Sequence, residues 1–118
     1  MEAGLGHDDL LLRLLSASTE RARVIAGNIA NQNTPGYTRK VLRFEELLHA
    51  AMESGGDLAS VEPQIEEDLL TPASADGNNV NPELESNALR QNRLLYEAYA
   101  SILGTRFELL RSSIESAR

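Results

Sequence analysis

Apolar residues recur at helical spacing near the start of the chain. From residue 11 onward, one face is marked at spacings of 4, 3, 4, 3 and 4 residues, as in a helix that packs against a partner. These positions are Leu11, Leu15, Ser18, Ala22, Ile25 and Ile29. Asp8 or Asp9 is suited to begin the helix, because a carboxylate favours the positive end of the helix dipole. The pattern predicts an N-terminal helix over residues 8–33.

A longer periodic stretch fills the C-terminal third. Asn81-Pro82-Glu83 is typical of a helix start, and a helix is predicted over residues 81–116. One apolar stripe comprises Leu84, Ala88, Gln91, Leu95, Ala98, Ile102, Thr105 and Leu109. A second, adjacent stripe comprises Leu89, Asn92, Tyr96, Tyr99, Leu103, Arg106 and Leu110. One antiparallel helix of the same chain does not cover two stripes, so self-association or partner helices are expected.

Residues 34–80 break the helical pattern. Pro35 disfavours helical dihedral angles at the preceding residue, and Pro35-Gly36 suits a type II turn in which Gly36 has a positive φ. A short helix is predicted over residues 44–54. From residue 55 to residue 80, Gly, Pro, Ser, Asp and Asn dominate, which predicts an irregular, partly flexible arm.

These elements predict one all-α domain over residues 1–118. Two long, amphipathic, coiled-coil-like helices would pack antiparallel, joined by an irregular acidic segment that carries the short helix. Assembly is expected along the helical seams. We assign to these seams Leu11, Leu15, Ile25, Ile29, Leu84, Leu95, Tyr99, Ile102, Leu103 and Leu109.

The charge of the chain is unevenly distributed. The net charge is −7, and residues 44–89 hold eleven acidic residues with no Lys or Arg. This acidic stretch argues against nucleic acid as a partner. It is explained either as a solvated surface or as a surface that attracts the basic parts of another copy. With no cysteine and no basic, apolar leader at the N-terminus, we expect neither disulfides, nor a cleavable signal peptide, nor insertion into a membrane.

One segment is too specific to be only a helix end. Residues 28–37 read Asn-Ile-Ala-Asn-Gln-Asn-Thr-Pro-Gly-Tyr, and residues 76–80 read Asp-Gly-Asn-Asn-Val ahead of the C-terminal helix. The first segment resembles the N-terminal signature of flagellar axial proteins, the rod and hook subunits of the bacterial flagellum. It matches that signature at Asn28, Ile29, Ala30, Asn31, Thr34, Pro35, Gly36 and Tyr37. The second segment, formed by Asp76, Gly77, Asn78, Asn79 and Val80, is similar to the proximal rod subunits of that family.

The resemblance implies a structural subunit of the basal-body rod that polymerises through its terminal helices. It implies a periplasmic location in the flagellum and export through the flagellar type III apparatus. Implied partners are other copies, other rod subunits, the membrane-ring protein and the adaptor between ring and rod. Another rod subunit of the same family, including a distal one, stays an alternative. A cytosolic helical adaptor or chaperone would explain the seams but not the Pro-Gly segment.

The residues that could support chemistry lack the context that chemistry needs. Glu46 and His49 have the Glu-x-x-His spacing of half a di-iron site, but His7 is the only other histidine. The Asp76-Gly77-Asn78-Asn79 segment lacks the closing acid of a calcium loop. We therefore assign no catalytic residue, no metal ligand and no cofactor, and an enzyme is not expected.

Overall fold

The computed structural model describes residues 6–117. It contains three α-helices, which are α1 (His7–Ala30), α2 (Glu45–Ser54) and α3 (Pro82–Ser116). It also contains two strands, β1 (Lys40–Arg43) and β2 (Gln64–Glu67), and a 3₁₀ turn at Leu58–Ser60. The chain is mostly helical, but the expected all-α class is wrong, because β1 and β2 form a two-stranded antiparallel sheet.

The long helices α1 and α3 lie antiparallel. Asp8 in the first turn of α1 pairs with Arg106 towards the end of α3. At the other end, Asn28 in the last turn of α1 bonds to Glu85 in the first turn of α3. The molecule measures 67 × 29 × 15 Å. Because α3 continues past Arg106 to Ser116, its last ten residues extend ~15 Å beyond the first turn of α1.

The helix ends differ from the expectation at α1 and agree with it at α3. Gly6 precedes α1 without any side-chain cap, so the capping role expected of Asp8 or Asp9 is wrong. The helix ends at Ala30 rather than at residue 33, because Asn31 leaves helical geometry and its amide donates to the Gly27 carbonyl. At α3, the Asn81 side chain accepts from the backbone N–H of residue 83 at 3.0 Å, as expected of a helix cap.

The segment expected to be an irregular arm pairs with the residues that follow the first turn. In the sheet, Leu42 lies opposite Ile65 and Arg43 lies opposite Gln64. All four residues of β2 are exposed, so this strand is held by backbone hydrogen bonds and by the Arg43–Glu66 ion pair at 2.8 Å. A strand stabilised in this way has no apolar alternation to reveal it.

A small core lies on the side of α1 that faces β1 and α2. Phe44 is fully buried there and packs with Ala17, Leu42 and Leu48. The Arg13 guanidinium lies 5.3 Å from the centre of the Phe44 ring, within the range of a cation–π contact. The core therefore joins the short elements to α1, while α3 packs along another face of α1.

Candidate functional site

The two sequence motifs meet at one end of the helix pair. In the first motif, the Tyr37 N–H donates to the Thr34 carbonyl at 3.2 Å, and Gly36 has φ of 76°, the positive φ expected for the turn. Pro35 and Gly36 occupy the two central positions of this turn, and the Gly36 N–H bonds to a group outside the turn. That N–H donates to the Asp76 carbonyl of the second motif at 2.9 Å.

The second motif is a glycine turn that packs against the first. Gly77 has φ of 86°, and a Cβ built on it would lie 3.3 Å from the Cα of Gly36. The Asp76 carboxylate accepts from the Ser74 hydroxyl at 2.6 Å and from the Asn78 N–H at 3.0 Å. The hydrogen bond from Ser74 lowers the pKa of Asp76 below its ordinary value. Both glycines are therefore needed for their backbone conformation, and Gly77 is also needed for the close approach.

Asn78 caps the C-terminal end of α1 from a distant part of the chain. Its amide nitrogen donates to the Asn31 carbonyl at 2.8 Å and to the Thr34 carbonyl at 2.7 Å. Its amide oxygen accepts from the Val80 N–H at 2.7 Å. Each of these carbonyls also accepts a backbone N–H of the first motif, so the second motif adds a further hydrogen bond to the turn that ends α1.

Asn79 ties the second motif to the start of the sheet. Its amide oxygen accepts from the Arg39 backbone N–H at 2.6 Å, and its nitrogen donates to the Asp68 carbonyl at 2.7 Å. Its own backbone N–H donates to the Tyr37 carbonyl at 3.3 Å. Asn78 and Asn79 are both buried, and the amide groups of both are hydrogen-bonded to backbone groups.

Asn28 is the centre of the first motif and is fully buried. Its amide nitrogen donates to the Lys40 carbonyl at 2.8 Å and to the Glu85 carboxylate at 3.0 Å. Its amide oxygen accepts from the Lys40 N–H at 3.0 Å and from the Tyr37 hydroxyl at 3.3 Å. One side chain thus joins α1, the turn, β1 and α3. Its amide nitrogen donates two hydrogen bonds and its amide oxygen accepts two, and a side-chain amide is the group that can do both.

Glu85 and Arg39 form a buried ion pair beside Asn28. Glu85 is fully buried, and its second oxygen accepts from the Arg39 guanidinium, which also donates to Asp68 at 2.8 Å. Burial lowers the pKa of Arg39, but hydrogen bonds to Glu85 and Asp68 outweigh burial and raise it. The Thr71 hydroxyl, with two backbone N–H groups and Arg39, lowers the pKa of Asp68 strongly. We name the cluster of Asn28, Arg39, Asp68, Asn78, Asn79 and Glu85 the motif junction.

Arg39, Asp68 and Glu85 were not predicted from the sequence as site residues. Both acids belong to the charged run, which was interpreted as a solvated or copy-attracting surface. A weak signal was present, because Glu85 lies seven residues before Asn92 and therefore close to the same helix face. The partner Arg39 is 46 residues away in the sequence, beyond the reach of any local pattern.

A second polar cluster joins the middle of α1 to α2 and α3. Arg21 pairs with Glu45 and donates to the Asn92 amide oxygen at 2.9 Å, and the Tyr99 hydroxyl donates to Glu45 at 2.8 Å. Burial raises the pKa of Glu45, but the bonds from Tyr99 and Arg21 outweigh burial and lower it. Burial and the bond to Glu45 raise the pKa of Tyr99. Part of the acidic stretch is therefore neutralised by basic residues of the same chain, which corrects its interpretation as solvent-facing throughout.

The arrangement is suited to holding helices in place. The motif junction satisfies its buried polar groups by hydrogen bonds within the chain. Glu46 and His49 lie exposed on α2, where the nearest acidic partner of His49 is Glu53 at 3.4 Å. Within residues 6–117, no group of three potential metal-ligating side chains is assembled.

The residues assigned to assembly seams fall into two groups. Leu11, Ile25 and Leu103 are buried between the elements of the chain, and Leu15, Ile29 and Tyr99 are partly buried. Leu84, Leu95, Ile102 and Leu109 are exposed on α3. The first stripe of α3 thus stays open, while the second supplies Asn92, Tyr99 and Leu103 to the contact with α1. A role of the exposed group in assembly stays a prediction.

Comparison with known proteins decides the family. No established family model matches the chain. The chain is 31% identical over 120 residues to the flagellar basal body rod protein FlgB of Borrelia hermsii, covering 85% of this chain and 89% of that protein. The chain belongs to the FlgB family. The FlgB proteins of Escherichia coli K12 and Bacillus subtilis 168 are 29% and 26% identical, and the chain covers 88% and 89% of their lengths.

Family membership confirms the resemblance to flagellar axial proteins and its assignment to the rod. FlgB proteins from a spirochaete, an enterobacterium and a bacillus all match over most of their length. Among the described helices, none combines the length and apolarity that spanning a bilayer requires.

Proposed function

We propose that the chain is a structural subunit of the flagellar basal-body rod and polymerises through the apolar surface that α3 leaves exposed. The observation that carries this proposal is the match to FlgB rod proteins along nearly the whole chain. It is supported by the elongated shape of the molecule and by the large apolar side chains exposed along α3. Exposed apolar patches on a folded chain mark surfaces for other proteins.

The exposed apolar residues lie on both flanks of the α3 face that contacts α1. One flank carries Leu84, Leu95, Ile102 and Leu109, and the other carries Leu89, Tyr96, Phe107, Leu110 and Ile114. A subunit inside a helical polymer has neighbours on more than one side, so two apolar flanks suit such a position. The motif junction would then fix the angle between α1 and α3, so that each copy presents the two flanks in the same geometry.

The finer expectations rest on the family and on the residue pattern. They are contacts with other rod subunits, with the membrane-ring protein and with the ring–rod adaptor, and passage through the flagellar type III export apparatus. An extended, mostly helical chain with a small core is compatible with refolding after such passage. In this assignment the chain acts structurally, and the role of the motif junction is to hold α1 and α3 in a defined geometry.

Two neighbouring residues of α3 offer a matched test. Ile102 is 50% exposed on the open flank, whereas Leu103 is 8% exposed and faces α1. Ile102→Asp should leave the fold of the purified chain intact but abolish rods and swimming, because an unpaired carboxylate buried in an interface costs several kcal/mol, on the order of 2–5. Leu103→Asp should destabilise the isolated chain itself.

The measurement is complementation of a strain that lacks the gene, scored by swimming and by detection of the chain in purified basal bodies. Circular dichroism of each purified variant separates folding from assembly. Normal swimming with Ile102→Asp would show that this flank is not an interface. Absence of the unmodified chain from basal bodies would contradict the proposed function as a whole.

A further inference from the structure

The strand β2 has an outer edge whose backbone groups face away from β1. Asn28 bonds to both the N–H and the carbonyl of Lys40, so these two groups of β1 face α1 and not β2. Lys40 lies opposite Glu67 in the antiparallel register. Opposite residues in such a ladder exchange both backbone hydrogen bonds or neither. The N–H and the carbonyl of Glu67 therefore point away from β1, towards the outer edge.

The same geometry recurs two residues earlier in β2. Bonded and non-bonded pairs alternate along an antiparallel ladder, so Ile65, opposite Leu42, also directs its N–H and carbonyl outward. The Leu42 carbonyl agrees with this assignment, because it accepts from Arg21 of α1 at 3.4 Å. All four residues of β2 are exposed, and within residues 6–117 nothing else bonds to the outward groups of Ile65 and Glu67. The outer edge thus offers backbone donors and acceptors to a further strand.

Large apolar side chains are exposed on and beside this edge. Ile65 is 50% exposed, Leu69 is 80% exposed and Leu70 is 93% exposed. The segment that carries the two leucines is held in place, because the Asp68 carboxylate accepts from the Leu70 and Thr71 N–H groups at 2.9 and 3.1 Å. An ordered strand edge flanked by exposed apolar groups is the surface to which an extended peptide adds as a strand.

Glu67 gives the edge a preference for positive charge. Its neighbour Glu66 pairs with Arg43 at 2.8 Å, whereas Glu67 forms no ion pair within residues 6–117. Lys40, which lies opposite Glu67, has its ammonium 4.7 Å from the centre of the Tyr37 ring. A further strand that places a basic side chain beside Glu67 would form the cross-strand pair that β1 does not form.

We propose that the outer edge of β2 binds an extended segment of a different protein, which adds to the sheet as a third strand. The side chains of this segment are apolar beside Ile65 and Leu69 and basic beside Glu67. A second copy of this chain does not fit, because β2 against β2 brings glutamates together, and β1 is already paired. Backbone hydrogen bonds give such a contact its affinity, and the alternate side chains give it specificity. The contact is separate from polymerisation through α3.

Proline at two neighbouring positions tests the open edge. Ile65→Pro removes an outward N–H, and an edge strand tolerates Pro where its N–H faces solvent. The urea midpoint of the purified variant should therefore change little, whereas cells that make it should lose swimming. Glu66→Pro removes an N–H that bonds to β1 and should lower the midpoint. Ile65→Val keeps the outward donor and should swim normally.

The outcomes separate this inference from the rod function. Normal swimming with Ile65→Pro overturns the inference and leaves the rod function standing. A fall of the urea midpoint in Ile65→Pro as large as that in Glu66→Pro also overturns it, because that N–H is then part of the fold. Absence of the unmodified chain from basal bodies contradicts the rod function itself.

Charge reversal tests the chemistry of the bound segment. Glu67→Lys should reduce swimming, because it places two like charges side by side on neighbouring strands. Glu67→Gln removes one charge without reversing it and should have the smaller effect. Normal swimming with Glu67→Lys would show that no basic side chain faces this position, and the proposed contact would then be wrong.

Photocrosslinking in cells identifies the occupant directly. A photoreactive benzoylphenylalanine in place of Leu69 should link the chain in basal bodies to a different protein. Mass spectrometry should find a basic residue among apolar residues in the linked segment. The matched control places the same group at Met52, which is 63% exposed on α2, and should not give this product. A link to a second copy, an equal product in the control, or no product at residue 69 overturns the inference.

Discussion

The two ends of the helix pair are stabilised in opposite ways. At the motif junction, the side chains of Asn28, Asn78 and Glu85 are buried, and each is bonded to groups from other elements. Towards the C-terminus of α3, Phe107 and Leu110 are exposed, and Arg106–Asp8 is the ion pair that holds this end of α3 to α1 within residues 6–117. Directional polar contacts fix one end, and exposed apolar surface marks the other.

This contrast separates a part that sets geometry from a part that adapts to neighbours. Buried polar groups tolerate little displacement, because each lost bond leaves a desolvated donor or acceptor. Apolar contacts are non-directional and scale with the area removed from water. A subunit built in this way keeps a defined angle between its long helices while its exposed flanks fit several neighbours. The variants below test that division, from the largest expected effect to the smallest.

Glu85→Ala should be the most damaging single change at the motif junction. It removes the shared acceptor of Arg39 and Asn28 and leaves a buried amide and a partly buried guanidinium without it, although Arg39 keeps its pair with Asp68, so the cost should be about 3 kcal/mol. Urea unfolding of the purified chain, followed by circular dichroism, measures the loss. Glu83→Ala in the same helical turn is the control, because Glu83 is exposed and its removal should stay within about 1 kcal/mol. Equal effects of the two changes would contradict the importance of the buried pair.

Gly77→Ala should come next, at about 1–3 kcal/mol, because the side chain meets both a positive φ and the Cα of Gly36 at 3.3 Å. Gly55→Ala is the matched control, since Gly55 has φ of 73° but no atom within 4 Å of a built Cβ. The difference between the two free energies of unfolding isolates the contact between the two motifs. If Gly55→Ala costs as much as Gly77→Ala, the close approach contributes nothing.

Acidification should weaken the motif junction. The pKa of Asp68 is lowered in the folded chain, so its contribution to stability is present above the unfolded pKa and is lost as pH falls below about 4. Glu45, whose pKa is also lowered, acts in the same direction. Asp68→Asn should lower stability at neutral pH and flatten its decline with acid, as measured by urea unfolding at a series of pH values. An unchanged slope in Asp68→Asn would show that Asp68 does not carry the dependence.

Phe107→Ser should have the smallest effect on the isolated chain. Phe107 is 53% exposed beyond the region where α3 contacts α1, so the free energy of unfolding should change by no more than about 0.5 kcal/mol. Swimming should nevertheless fall, because the residue belongs to an exposed apolar flank through which the chain is proposed to polymerise. Loss of stability comparable to that of Gly77→Ala would place Phe107 in the fold and remove the contrast between the two ends.

Features encoded by neighbouring residues were predictable from the sequence, and features that depend on distant partners were not. The Asn81 cap and the positive φ of Gly36 follow from residues a few positions apart, and both are observed. The strand β2 was missed because its four exposed residues give no apolar alternation, and only β1 makes it a strand. The cap at the start of α1 was misjudged, because Asp8 pairs with Arg106 and makes no side-chain cap. Both motifs were recognised, but nothing local indicates that they touch.

The cap on α1 is made by a residue that is synthesised long after the helix itself. Asn78 lies 47 positions beyond Asn31, and Glu85 lies 57 positions beyond Asn28. A chain leaves the ribosome N-terminal end first, so α1 is made before Asn78 and Glu85 have emerged and lacks their hydrogen bonds until then. Contacts of such high sequence separation form late and slowly. The nascent chain therefore passes through a long interval in which its first helix is incomplete, and during that interval machinery that handles unfolded polypeptides has access to it.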